Sequence, residues 1–194
     1  YVKNVCVENF DKNADGELSY MEASKVTSIG ERFFGDYAPK VKSFDELRYF
    51  INVTSIRYNA FYGCSSLTSI IIPEGVTSIG YSAFEHCSSL TSIAIPESVT
   101  SIEKYTFYGC SSLTSITIPE GITSIGFQAF EYCIRLTSIT IPESVTSIDI
   151  YTFYGCESLT SITIPDGVTS IGKWAFSRCS GLTSIKIPNS VTNI

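Results

Sequence analysis

The sequence predicts an α/β solenoid, in which short parallel strands and short helices stack coil upon coil behind an N-terminal helix–loop–helix cap. Two observations carry this prediction. A unit of 23 residues restarts without slipping at Leu67, Leu90, Leu113, Leu136, Leu159 and Leu182, and a fixed period of this length is typical of solenoids. Each unit also repeats a set of apolar positions, which a single coil cannot bury but stacked coils can.

The elements of one coil follow from its pattern, with positions counted from the leading Leu. Ser-Ile-x-Ile at positions 3 to 6 alternates with a period of two and predicts a short strand. Proline at position 7 cannot donate a ladder hydrogen bond, so it predicts the end of that strand. Val-Thr-Ser-Ile at positions 10 to 13 predicts a second extended piece. Ala-Phe-x-x-Cys has apolar residues three and four apart and predicts one or two helical turns on the opposite wall.

A second, longer period is superimposed on the first. Position 9 alternates between Gly and Ser, position 14 between Gly and an acidic residue, and position 17 between Ala and Thr. This alternation predicts that the copying unit is 46 residues long, which is two coils.

Composition excludes several classes of protein. The net charge of -6 argues against nucleic-acid binding, which needs a basic face. No run of 18 apolar residues is present, so no membrane span is expected. Six of the seven cysteines share position 21. Stacking places them about 4.8 Å or more apart with parallel side chains, so we expect free, buried thiols rather than disulfides.

The pattern L-x-x-I-x-I…V-x-x-I-x-x-x-A-F-x-x-C resembles the BspA-like branch of the leucine-rich repeat family over residues 44–194. This resemblance implies a curved, right-handed leucine-rich repeat solenoid whose Ile-x-Ile strands form the concave sheet. It also implies a secreted or surface-anchored bacterial protein that binds host or matrix proteins.

Residues 11–22 form the one sharply defined candidate site. Their sequence, DKNADGELSYME, matches the EF-hand-like pattern of calcium-binding loops. Gly16 permits the sharp turn, and Glu22 would close the shell of oxygen ligands with both carboxylate oxygens. The predicted calcium ligands are Asp11, Asn13, Asp15, Glu17 (through its carbonyl), Ser19 and Glu22. The alternative is a polar acidic loop that holds no metal.

The regions beside the loop predict a cap on the solenoid. Apolar residues spaced by four predict a helix that enters the loop, namely Val2, Cys6 and Phe10. Ser43 and Glu46 have capping-box spacing and predict a short helix from about 44 to 50.

These features divide the chain into two expected domains. Residues 1–43 are assigned to an EF-hand-like N-terminal cap and residues 44–194 to the solenoid. The last coil lacks its helical segment and would expose an apolar layer. We therefore expect either that the natural protein continues or that this end packs against another molecule, as in end-to-end self-association.

Aromatic residues gather on the predicted helical wall at positions 15, 16, 19 and 20. Because Ala and Phe at positions 17 and 18 already point inward, part of this aromatic band is expected to be exposed. Such a band is typical of contacts with proteins or glycans. The candidate partner-binding residues are Tyr81, Tyr105, Phe127, Tyr151 and Trp174. The alternative is that these rings pack between neighbouring coils.

The sequence favours a binding protein over an enzyme. His86 is the only histidine, at a variable position that predicts an ordinary surface residue, and the recurring Ser and Thr residues have no base beside them. The leading hypothesis is an extracellular or bacterial cell-surface adhesion protein whose ligand is a protein or a glycan. The second hypothesis is a structural spacer or stalk within a larger surface protein.

Overall fold

Two rows of short parallel strands run along the computed structural model of the chain, which describes residues 2–194, and each row is hydrogen-bonded as two separate sheets. The Ser-Ile pair at positions 12 and 13 forms one row from β1 (Ser28–Ile29), β2 (Ser55–Ile56), β3 (Ser78–Ile79), β5 (Ser101–Ile102), β7 (Ser124–Ile125), β9 (Ser147–Ile148) and β11 (Ser170–Ile171). Positions 3 to 5 form the other row from β4 (Ser92–Ala94), β6 (Ser115–Thr117), β8 (Ser138–Thr140) and β10 (Ser161–Thr163). The predicted solenoid of parallel strands is therefore confirmed.

Neighbouring strands pair at identical repeat positions. β1, β2 and β3 pair in that order, as do β5, β7, β9 and β11, while β4 pairs with β6 and β8 pairs with β10. Ser55 lies opposite Ser78 and Ile56 opposite Ile79, which is a shift of one 23-residue unit. The isoleucine of each pair is buried and the serine is more exposed. The repeat period thus sets the register of the strand pairs from β2 onward, whereas β1 pairs with β2 at a shift of 27 residues.

Side chains also link neighbouring coils. Thr114 donates both its N–H and its hydroxyl to the carbonyl of Thr91, at 3.0 and 3.1 Å. The thiol of Cys110 donates to the carbonyl of Phe84 in the preceding coil at 3.2 Å. All seven cysteines are free and buried, as the sequence predicts. Burial raises the pKa of Cys64 to about 12, which keeps that thiol protonated and unreactive.

A column of stacked phenylalanine rings forms the centre of the core. Consecutive rings lie 5.0–5.7 Å apart and within 13° of parallel. The column consists of Phe61, Phe84, Phe107, Phe130, Phe153 and Phe176. Burying one such ring contributes about 1.5–3 kcal/mol relative to leaving it in water. Because each ring contacts the next, this stabilisation exists only when the coils stack.

The wall opposite the strands is built of turns, so the predicted helical turns and the α/β character they would give are wrong. Between residues 44 and 194, all of which the structure describes, there is no α-helix. The backbone is left-handed at position 16, with φ of 55–60°, and at position 20, with φ of 59–72°. The N–H groups of alternate residues also bond to the next coil instead of within their own: the N–H of Phe107 donates to the carbonyl of Ala129 at 2.9 Å. Stacked turns therefore replace each predicted helix.

The alternation between two kinds of coil has a steric cause. A Cβ placed on Gly80 would lie 2.5 Å from the backbone nitrogen of Tyr58, so no side chain fits at position 14 of that coil. In the next coil, position 9 is a serine instead of glycine, and the hydroxyl of Ser98 donates to the carbonyl of Glu74 at 3.0 Å. Coils whose glycine at position 14 lies against the backbone of the preceding coil thus alternate with coils whose serine at position 9 bonds to the preceding coil.

The N-terminal segment contains α1 (Val2–Phe10) and α2 (Tyr20–Ala23), followed by 3-10 helices at Gly35–Lys40 and Asp45–Tyr49. The second 3-10 helix lies where the sequence predicts a short helix at 44–50. The capping box predicted from Ser43 and Glu46 is wrong, because the residue before that helix is Phe44 and no side chain caps it. Ser43 instead pairs with Ser69 in a parallel bridge.

The strand ladder begins at β1, within the region that the sequence assigns to the cap, and one continuous core reaches from Val5 to Cys179. The domain boundary at residue 43 therefore stays a prediction. Ile187 and Ile194 of the last coil are exposed, and end-to-end association through this region likewise stays a prediction. Within residues 2–194, no helix is long and apolar enough to cross a membrane.

Candidate functional site

The predicted calcium loop joins α1 to α2 and lies against the first coils of the solenoid. α1 is anchored by Val5 and Cys6, which are both buried. At its end, the ring of Phe10 lies 5.5 Å from the rings of Phe33 and Phe50. The sequence pattern identified Cys6 and Phe10 but missed Val5. These contacts fix the start of the loop to the core.

The first half of the loop is folded by its own side chains. The carboxylate of Asp11 accepts hydrogen bonds from the N–H groups of Ala14, at 2.7 Å, and Gly16, at 2.9 Å. Asn13 and Asp15 each accept a bond from the N–H two residues further on, at 3.0 and 2.9 Å. Ala14 and Gly16 have left-handed φ angles of 58° and 82°. The chain therefore turns tightly around three of the predicted ligands.

Glu22 closes the second half of the loop. Its Oε1 accepts hydrogen bonds from the N–H groups of Lys12, at 2.8 Å, and Asn13, at 3.2 Å. Its Oε2 accepts bonds from the N–H and the hydroxyl of Ser19, at 3.0 and 2.7 Å. Ser19 and Glu22 form a capping box at the start of α2. Donation from Ser19 first, and then from Lys12 and Asn13, lowers the pKa of Glu22 to about 2.

The donor chemistry of this loop fits calcium, which prefers carboxylate, amide, hydroxyl and carbonyl oxygens. The side chain of Glu17 is directed elsewhere, since it lies 3.6 Å from Lys3. No three His, Cys, Asp or Glu residues in the described part of the chain meet as a metal-binding group. An ion would therefore also need Asn13 and Ser19. Because Glu22 already accepts four hydrogen bonds, binding an ion through both oxygens requires that these bonds be exchanged.

The second candidate site is the aromatic wall, by which we mean the residues at positions 15, 16, 19 and 20 of the coils. The structure divides the predicted partner-binding residues into two groups. Tyr81 stacks on Tyr58, with ring centres 5.2 Å apart. The other four form a continuous run with ring centres 5.0–6.3 Å apart, from Tyr105 through Phe127 and Tyr151 to Trp174. Exposed Lys104 occupies position 15 between the two groups.

These contacts confirm the alternative that the rings pack between neighbouring coils, without burying the wall. Tyr81 remains 51% exposed and Trp174 48% exposed. Tyr105, Phe127 and Tyr151 are half-buried. The ammonium of Lys173 lies 3.9 Å from the centre of the Trp174 ring. The wall is therefore both a structural seam and a partly accessible surface.

A second row of rings runs beside the first and was not predicted as a unit. Ring centres 5.3–5.9 Å apart, all in edge-to-face contact, connect Tyr62, His86, Tyr108, Tyr132 and Tyr154. The guanidinium groups of Arg32 and Arg178 lie over the two end rings. His86 is exposed, as expected for a surface residue, but its ring is a member of this row. The signal for the row was the alternation of Gly with a larger residue at position 20.

Comparisons with known proteins agree with this architecture. The family profile described as "BspA type Leucine rich repeat region (6 copies)" matches residues 27–157 and 123–194. A crystal structure of a T. pallidum leucine-rich repeat protein is 32% identical, with a TM-score of 0.70, and the match covers 73% of this chain. A leucine-rich repeat protein from Bacteroides ovatus is 38% identical, with a TM-score of 0.60 and 72% of this chain covered.

A leucine-rich repeat protein from Eubacterium ventriosum is 31% identical over 73% of this chain, with a TM-score of 0.64. The matched regions span 66%, 42% and 37% of these three proteins, in the order given, so the chain corresponds to only part of each. None of the curated proteins matches this chain in sequence.

Proposed function

Because the chain belongs to the BspA-type leucine-rich repeat family, we propose that it is a secreted or cell-surface interaction protein. Its ligand is an extracellular protein or glycan, and its binding surface is the aromatic wall. The observation that carries the proposal is the exposure of Tyr81 and Trp174, which inter-coil packing leaves half open to solvent. Large aromatic side chains are enriched among the residues that dominate binding energy at interfaces.

Rigidity of the wall supports the same proposal. The left-handed turns at positions 16 and 20 are tied to the next coil by backbone hydrogen bonds, as between Gly109 and Glu131 at 2.8 Å. The tyrosine rings among them are also held by contacts with neighbouring rings, as Tyr132 is by Tyr108 and Tyr154. A surface that is ordered before binding loses little conformational entropy when a partner docks.

A binding assay with paired surface variants tests this function. The double variant Tyr81→Ala/Trp174→Ala removes the exposed tyrosine and tryptophan rings of the wall. We expect at least about a tenfold loss of affinity for immobilised extracellular-matrix proteins or glycans, measured by surface plasmon resonance. The matched control is Ile51→Ala/Ile71→Ala, because these side chains are 51% and 52% exposed but lie outside the wall. Unchanged binding by the wall variant would contradict the proposal.

The second candidate function is a spacer, and the continuous ring contacts between coils favour it, since they stiffen the stack. The assay separates the two hypotheses. A spacer predicts that the wild-type protein retains no extracellular protein or glycan, whereas the binding hypothesis predicts saturable retention that depends on the wall.

We also propose that the loop of residues 11–22 binds one calcium ion and that this ion has a structural role. Asp11, Asn13, Asp15, Ser19 and Glu22, with the carbonyl of Glu17, would hold the ion. Bound calcium would supply a positive charge that neutralises the three carboxylates and fixes α1 and α2 to the first coil. Support comes from the oxygen-rich donor set and from the tight folding of the loop around Asp11 and Asp15.

Thermal unfolding in calcium and in EDTA tests the ion site. Calcium should raise the unfolding temperature of the N-terminal region, because a ligand that binds only the folded state stabilises it by about 2.7 kcal/mol at a hundredfold excess over Kd. Asp15→Ala should abolish the increase. Asp166→Ala, an exposed acid on a solenoid turn, is the matched control and should keep it. Identical melting curves in calcium and in EDTA would exclude the site.

A further inference from the structure

Six aromatic rings form a closed circuit on the wall around the coil that begins at Leu113. Each ring is in edge-to-face contact with the next, at centre-to-centre distances of 5.2–6.3 Å. In order, the circuit is Tyr105, Phe127, Tyr151, Tyr154, Tyr132 and Tyr108. All six side chains are half-buried, so one side of the circuit faces solvent. We call this group the aromatic corral.

A carboxylate lies within the corral. Gln128 and Glu131 occupy positions 16 and 19 of the middle coil, where the flanking coils carry Tyr105, Tyr108, Tyr151 and Tyr154 at the same positions. Glu131 is only 5% exposed. Its Oε2 accepts a hydrogen bond from the amide of Gln128. The corral therefore surrounds a buried acid whose one hydrogen-bonding partner among the described residues is a neutral amide.

No cation among residues 2–194 forms an ion pair with this acid; the guanidinium of Arg178 lies over the ring of Tyr154 at one end of the corral. The ion pairs among residues 2–194 are Lys3 with Glu17 and His86 with Glu85, and Glu131 belongs to neither. Burial raises the pKa of Glu131, as expected for a carboxylate without a compensating charge. Burial raises the pKa of Tyr108 and Tyr151, and the nearby carboxylate adds to this, after Tyr154 in the case of Tyr151. A buried acid in this state gains by pairing with a cation.

The preceding two-coil copy shows how the same position is satisfied elsewhere. There, Glu85 stands where Glu131 stands 46 residues later, and His86 lies 3.7 Å from it as a potential internal cation. Tyr132 replaces that histidine in the corral, and Asn59 stands in the earlier copy where Tyr105 stands here. The later copy thus has no histidine beside its acid and has the ring that closes the circuit.

We propose that the aromatic corral binds the side-chain ammonium of a lysine presented by the protein partner, with Glu131 as the counter-ion. This inference rests on the proposed function of the wall. An ammonium group is attracted both by a carboxylate and by the faces of tyrosine rings. Lysine fits better than arginine, because Gln128 already occupies Oε2 and leaves Oε1 for a single donor rather than for a guanidinium fork.

Titration with N-acetyl-lysine methylamide, followed by NMR, tests the corral without any macromolecular partner. We expect saturable shifts of the Gln128 side-chain amide, together with upfield ring-current shifts of the lysine ε-methylene protons. The neutral norleucine analogue should produce neither. Glu131→Gln preserves the shape of the side chain and should weaken binding of the lysine probe at least about tenfold. Glu85→Gln, the matched control, should leave it unchanged because Glu85 lies in the coil that begins at Leu67, outside the six rings.

The folded state of each variant is verified by its thermal unfolding curve. Equal affinity for the lysine and norleucine probes, or equal affinity of wild type and Glu131→Gln for lysine, would overturn the proposal. Tyr81→Ala/Trp174→Ala lies outside the six rings and should retain the probe. Loss of partner binding in that variant with retention of lysine binding supports both proposals. Intact partner binding there with intact lysine binding would contradict the role of Tyr81 and Trp174 in partner binding but not the lysine site of the corral.

Discussion

At the scale of single residues, position 20 shows that the backbone conformation and the space available for a side chain restrict the residue type independently. The backbone is left-handed there in every coil from Gly63 to Arg178, yet only alternate coils use glycine. His86 and Tyr132 adopt φ of 61° and 59° without it. Glycine is required there by lack of space, because a Cβ on Gly155 would lie 2.8 Å from Cδ1 of Tyr132. The ring of one coil therefore requires the glycine of the next.

Alanine at two of these glycines separates the two demands. Gly63→Ala meets no atom within 4 Å and should cost only the left-handed strain, about 1–2 kcal/mol. Gly155→Ala has the same strain, since its φ is 71° against 72°, but must also displace the Tyr132 ring, which adds about 1–3 kcal/mol. Urea unfolding measures the difference. Equal losses in the two variants, or no recovery of stability when Tyr132→Ala is added to Gly155→Ala, would contradict this reading.

At the scale of elements, strands were predictable from sequence and the turn wall was not. Alternation of Ser and Ile is a local property that determines which side chain is buried. The structure has strands at positions 3 to 5 in the four coils from Leu90 to Leu159, but not in the coils that begin at Leu67 and Leu182. The three-and-four spacing of Ala-Phe-x-x-Cys is met equally by a helix or by two consecutive turns. What decides between them is the N–H of residues such as Phe107, which bonds to the next coil. That partner lies 22 residues away and leaves no local signal.

Side-chain motifs were also less predictable where their partners lie far away in the sequence. Ser43 and Glu46 share their spacing with Ser19 and Glu22, but only the second pair forms a capping box. Ser43 is held instead by the strand bridge to Ser69. The calcium ligands predicted from the loop pattern stay a prediction, whereas Glu131 was missed because its surroundings come from three coils. Alternation of Tyr and Glu at position 19 was the signal that could have identified it.

At the scale of the whole molecule, the chain has one core but two chemically different carboxylate sites at a distance along it. The phenylalanine column continues into the N-terminal segment, where the ring of Phe61 lies 5.9 Å from that of Phe34. In a solenoid each coil contacts only its neighbours, so stability is approximately a sum of local terms. A change in protonation at one coil should therefore alter stability locally rather than throughout the stack.

Acidification should accordingly lower the local stability around Glu22 and raise it around Glu131. The pKa of Glu22 is lowered to about 2, so its contribution to stability is present above its ordinary value near 4.5 and is lost as the pH falls toward 2. The pKa of Glu131 is raised, so its charged form destabilises the fold, and protonation relieves this as the pH falls from neutral. Hydrogen exchange, corrected for the intrinsic effect of pH, should show residues 11–22 losing protection in acid while residues 127–132 gain it. Glu22→Gln and Glu131→Gln should each remove the change in protection at their own site only. A uniform change in protection along the chain would contradict the claim that protonation alters stability locally.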